Sequence, residues 1–122
     1  MPPTRIILDT DPGADDALAI MLMLASPEIT LEAITTVHGN VTLDKTTRNA
    51  LALLEFLNAT HIPVAKGCTV PLLKPPHPAL GEVVHGSSGM GRTNLPEPKT
   101  QPIKTHAVDY LIERFLAEPN EL

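Results

Sequence analysis

The sequence predicts an α/β fold built on a doubly wound, mostly parallel β-sheet, and three observations carry that reading. Segments of strand character alternate with segments of helical period in the order β-α-β-α-β-loop-α, an order that calls for βαβ crossovers. The first strand segment is a short apolar run of the fully buried kind, and the second is rich in β-branched residues. The residues able to do chemistry cluster where two strands end, the place where ligands bind in such sheets.

Taken in order, Arg5 to Thr10 reads as the first strand, and Pro12-Gly13 then turns the chain. From Asp15 the run DDALAIMLMLAS is helix material, with carboxylates in its first turn and Pro27 beyond its end. Ile29 to Val37 is the second strand, closed by Gly39-Asn40. Leu43 to Leu57 sets Ala50, Leu51, Leu54 and Leu57 on one helical face. Ile62 to Lys66 is a short third strand. A Pro/Gly-rich loop covers residues 71–105, since seven of the 13 prolines fall between Pro71 and Pro102. The last helix runs from about His106 to Ala117, with one apolar stripe of Ala107, Val108, Leu111, Ile112, Phe115 and Leu116. The chain then stops where another strand is expected, so the sheet reads as incomplete at its C-terminal side.

Composition narrows the function. At 122 residues the chain is one domain, and a net charge of −5 argues against a nucleic-acid binder working through phosphate contacts. Its longest apolar run, Ala17 to Ala25, is too short to span a bilayer, and with no basic n-region followed by a small-residue cleavage site at its start a signal peptide is not expected. The lone Cys68 excludes an internal disulfide, fits a reducing cytoplasm and reads as a small buried residue. His61, His77 and His106 read as surface or capping residues. From Ile6 to Asp44 there are seven acidic residues and no Lys or Arg, so a positive partner is expected there.

The acidity peaks in Asp9-Thr10-Asp11-Pro12-Gly13-Ala14-Asp15-Asp16, four carboxylates in eight residues across a strand-to-helix turn. Each alone could be a turn or helix-start residue, worth ~0.3–1 kcal/mol. Converging, two of them ~4 Å apart repel by ~4 kcal/mol at an effective dielectric near 20. A cation among them relieves that cost, and oxygen-only ligands favour Ca²⁺ or Mg²⁺ over zinc. An EF-hand is excluded, because its fifth and sixth loop positions would be Gly13 and Ala14. A phosphate-binding loop is excluded by the turn's acidity.

The stretch Asp9 to Ala17 resembles the signature of the inosine–uridine nucleoside hydrolase family, Asp-x-Asp-Pro-Gly-x-Asp-Asp-Ala. Agreement continues at Ala33 to Asn40, Thr47-Arg48-Asn49-Ala50, and His85-Gly86 leading to Gly89-Met90-Gly91. The resemblance implies a Rossmann-like core and a cytoplasmic ribohydrolase that uses water to displace the base from a ribonucleoside. It implies calcium held by Asp11 and by both oxygens of Asp16, with Asp11 also the general base. Asp15 and Asn40 would then bind the ribose, Asp9 would support the turn, and His85 would approach the nucleoside from a mobile segment. Family members run well beyond this length and are expected to act as dimers or tetramers. The chain therefore reads as an N-terminal portion, inactive by itself, its remaining calcium ligands and leaving-group acid lying beyond Leu122. Two other readings compete: a Mg²⁺-dependent phosphatase of haloacid dehalogenase type, which also ends its first strand in Asp-x-Asp, and a non-catalytic metal-binding fragment.

Overall fold

A computed structural model describes residues 1–75 and 80–122; His77 lies outside the described residues. Three parallel strands, β1 (Thr4–Thr10), β2 (Ile29–Thr36) and β3 (Val64–Lys66), lie side by side in the order β1-β2-β3. Helix α1 (Ala14–Ala25) connects β1 to β2, and α2 (Leu43–Phe56) connects β2 to β3. Two further helices follow, α3 (Leu80–His85) and α4 (Ala107–Ala117). The expected parallel α/β sheet is present.

The core forms where the period-3.6 face of α2 meets the sheet. Ala50, Leu51, Leu53 and Leu54 pack with Ile20 of α1, Ile34 of β2 and Val64 of β3, all buried. Each of the Leu, Ile and Val side chains contributes ~1.5–3 kcal/mol by leaving water. Two threonines fix how α2 sits on β2: Thr46 Oγ1 donates to the Val37 carbonyl at 2.9 Å, and the Thr36 and Thr47 hydroxyls meet at 2.8 Å.

The β1–β2 ladder is not regular. Ile6 pairs with Leu31 but Ile7 pairs with Ala33, so Glu32 is the extra residue of a bulge. Its carboxylate is held by the Arg5 guanidinium on β1 and by Arg114 on α4. Both arginines also reach Glu118, Arg5 at 2.7 Å and Arg114 at 2.8 Å.

Three expectations need adjustment. The third strand begins at Val64, because Pro63 has no N–H to give the ladder, although its carbonyl still accepts from Ile34 N at 3.0 Å. The segment 71–105 is not all loop: it contains α3, and Ile103 pairs in parallel with Ala65, its N–H donating to Val64 O at 2.8 Å. Cys68 is exposed, not buried, because it lies past the end of β3. His61 and His106 are exposed as expected, and His106 caps α4 by accepting from Val108 N–H at 3.3 Å.

Candidate active site

The carboxyl ends of the strands carry the acidic turn. Thr10 ends β1, Asp11 to Gly13 turn the chain, and α1 begins at Ala14. Asp16, in the first turn of α1, folds its carboxylate back over that turn. Oδ1 accepts from the Thr10 hydroxyl at 2.5 Å, and Oδ2 accepts from Gly13 N–H at 2.9 Å. This caps α1 with a charge at its positive end, where a carboxylate is stabilised.

Asn40, just past β2, joins the two key carboxylates. Its backbone N–H donates to Asp11 Oδ2 at 2.6 Å. Its side-chain Nδ2 donates to the Asp11 carbonyl at 3.1 Å and reaches Asp16 Oδ2 at 3.5 Å. Gly39 beside it leaves room for the Asp11 carboxylate, which a Cβ there would overlap. Asp15 points outward with its side chain 78% exposed, and His85 Nδ1 stands 3.8 Å from it. His85 also closes over the turn, where a Cβ on Gly13 would come within 2.8 Å of His85 Nδ1 and 2.9 Å of Asn40 Nδ2. Asp11, Asp15, Asp16, Asn40 and His85 are therefore brought together. Asp9 is not part of that group: it is exposed, and its carboxylate accepts from the Thr35 hydroxyl of β2 at 2.6 Å.

An open cleft of about 710 Å³ lies beside these groups, lined by Asp11, His38, Asn40, Lys74, Val84 and His85 among others. Among the described residues no Lys or Arg pairs with Asp9, Asp11 or Asp16. Nor do three His, Cys, Asp or Glu side chains converge there to enclose an ion. The donor set nevertheless suits a hard cation. Asp11 Oδ1 takes no hydrogen bond among the described residues, and Asp16 Oδ1 keeps a lone pair beside the one bond it accepts, while the second donor on Oδ2, Asn40 Nδ2, stands at a long 3.5 Å.

Sequence reasoning missed four contributors. Thr10 and Thr35 hold Asp16 and Asp9, and their register position, not their type, makes them matter. Asn49 ties two segments behind the turn, its Nδ2 donating to Pro12 O at 3.1 Å and Ser88 O at 2.8 Å. Gly81 lets α3 lie against the Asn40 carbonyl, which a Cβ would overlap.

Fold and site together define an α/β protein that gathers paired carboxylates, an amide and an imidazole at the carboxyl edge of its parallel sheet. The family model for inosine-uridine preferring nucleoside hydrolases matches residues 6–122, and the chain belongs to that family. It is 43% identical over 118 residues to "Probable uridine nucleosidase 2" of Arabidopsis thaliana, covering 97% of this chain and 37% of the plant protein. With the pyrimidine-specific ribonucleoside hydrolase RihA of Enterobacter sp. (strain 638) it shares 47% identity over 116 residues, 95% of this chain and 36% of that protein. The solved plant nucleoside hydrolase PpNRh1 superposes with a TM-score of 0.92 at 43% identity, over 98% of this chain and 38% of that one. The chain thus spans little more than a third of the length of the relatives it matches. The phosphatase reading has no support in this family match.

Proposed function

We propose that the chain forms the metal- and ribose-binding portion of a ribonucleoside hydrolase, which cleaves the N-glycosidic bond of purine or pyrimidine nucleosides to free base and ribose. One observation carries this reading: a single residue, Asn40, is hydrogen-bonded to both Asp11 and Asp16, so two carboxylates free of any basic partner among the described residues are held together next to the cleft that Asp11 and Asn40 line. Calcium is the proposed ion; held by Asp11 and Asp16, it would supply a water of lowered pKa.

The chain's own residues do the rest. Asn40 N–H holds the Asp11 carboxylate in place through Oδ2, which leaves its remaining lone pairs to face the ion and to take a proton from the attacking water. Asp16 offers both oxygens to the ion while Thr10 and Gly13 hold its plane. Asp15, exposed and 3.8 Å from the His85 imidazole that lines the cleft, would accept from a ribose hydroxyl. Positive charge developing on the sugar is stabilised by these fixed carboxylates. Asp9 serves at a distance, joining β1 to β2 through Thr35. A homo-oligomer in a reducing compartment is part of the same proposal. The exposed Leu18 and Leu22 of α1 and Ile112, Phe115 and Leu116 of α4 support the oligomer, and the single Cys supports the compartment. Among the described residues no helix is long and apolar enough to cross a membrane.

The test is a chimaera in which residues 1–122 replace the matching third of the Enterobacter enzyme, assayed with inosine and uridine in calcium. Ribose release is expected. Asp11→Asn is expected to lower kcat by about 10²–10⁴-fold, the usual contribution of a general base, with KM changed only a few-fold. A raised KM with kcat intact would move Asp11 to a binding role. A folded but inert chimaera would favour the non-catalytic metal-binding reading.

A further inference from the structure

Asn49 sits on α2 with 1% of its surface exposed, behind the acidic turn and out of reach of the cleft. Its one amide group donates two hydrogen bonds to segments far apart in the chain, to Pro12 O at 3.1 Å in the acidic turn and to Ser88 O at 2.8 Å in the glycine-rich segment after His85. The amide orientation follows from those partners, since the opposite one would set its oxygen against two carbonyl oxygens. Its Oδ1 is buried and has no partner among the described residues. An unpaired buried acceptor is costly, so a position that only had to fill space would be better served by an apolar side chain. What Asn49 supplies is its pair of donors.

The glycine-rich segment depends on such anchoring. Gly86, Gly89 and Gly91 all have positive φ, and Gly91 N–H closes the segment on His85 O at 2.6 Å. A Cβ on Gly89 would come within 3.1 Å of Asn49 Nδ2, so the segment lies directly on the amide. We infer that Asn49 is a positioning residue that couples the acidic turn bearing Asp11 and Asp16 to the segment bearing His85, so that order in one is transmitted to the other. Its catalytic consequence rests on the proposed hydrolase reading; the coupling itself does not.

Amide hydrogen exchange in residues 1–122 tests the coupling without metal or substrate. Gly13 N–H reports on the turn, Gly91 N–H on the His85 segment, and Ile34 N–H, bonded to Pro63 O, on the core strand. Asn49→Ser is expected to speed exchange about tenfold at both Gly13 and Gly91 and to leave Ile34 unchanged. An equal rise at all three is general loss of stability and overturns the inference, as does a rise at one reporter alone. A second variant leaves Asn49 in place. Gly91 has φ +62 and open space around it, so Gly91→Ala strains the His85 segment without touching the amide. It should speed exchange at Gly13 as well, and that transmitted effect should vanish when Gly91→Ala is combined with Asn49→Ser. Persistence of the effect in the double variant would overturn the coupling. In the chimaera Asn49→Ser should raise KM about tenfold with kcat within about threefold. Equal losses in kcat would place its role in the chemical step, and an inert unsubstituted chimaera would count against the hydrolase reading while leaving the exchange result standing.

Discussion

Gly39 shows how tightly the acidic turn is fitted. Its missing side chain makes room for the Asp11 carboxylate, so Gly39→Ala is expected to turn Asp11 out of place. If Asp11 and Asp16 hold calcium, the substitution should weaken binding at least tenfold by titration calorimetry, with little change in melting temperature. Unchanged affinity would remove Asp11 from the metal shell. The carboxylates and Asn40 were legible in the sequence because they lie at fixed short spacings after strands, where geometry leaves them little choice of edge. Thr35 was not legible. The register at Ile6–Leu31, continued without a bulge, would set Asp9 opposite Ile34, and only the extra residue Glu32 brings Thr35 there. Nothing in the local pattern announces that slip. Asn49 lies in a segment that agrees with the family, but its role was hidden for a similar reason, since its partners, Pro12 and Ser88, are 37 and 39 residues away.

Helix α4 is anchored by charge more than by packing. Ala107 is its one fully buried residue, while Val108, Ile112, Phe115 and Leu116 face solvent. Its end is held by Arg114 and Glu118 to Arg5 of β1 and to Glu32, the bulge residue of β2. Hydrogen bonds from Arg5 hold the Glu32 and Glu118 carboxyls below the usual 4.5 of a glutamate. Because both pKa values are depressed on folding, the network stabilises the protein above about pH 4.5 and that contribution is lost as pH falls through the lowered folded values. Thermal melts from pH 6 to pH 3 should therefore show a steeper loss below 4.5 in the native protein than in Glu32→Gln. Parallel curves would mean the network contributes nothing to stability. At this scale the periodic elements were readable to within one or two residues. Helix α3 was not, because six residues beginning Leu-Gly complete less than two turns and show no period. Its place is set by the fit of Gly81 against Asn40.

The whole molecule exposes apolar faces on two helices, with Leu18 at 68%, Leu22 at 67% and Leu116 at 76%. Patches of this kind mark interaction surfaces or association. Sedimentation of residues 1–122 should show self-association that Leu116→Lys reduces, and a monomer at all concentrations would contradict it. The same chain should release no ribose from inosine or uridine in calcium, since Asp11 and Asp16 offer about three of the six to eight oxygens that calcium takes. Release that disappears with Asp11→Asn would show this portion to be sufficient. The strands lie across the sheet in the order in which they occur in the chain, β1-β2-β3. Each pairing thus closes only the short loop around one helix, and low contact order of this kind favours rapid folding. Asp11, Asp16 and Asn40 belong to the first closure, so the repulsion among the turn's carboxylates is met early in folding. An ion that relieves it acts on the folding barrier as well as on the finished protein. Millimolar calcium should therefore speed refolding in stopped-flow experiments, where an ion bound only after folding would do no more than slow unfolding.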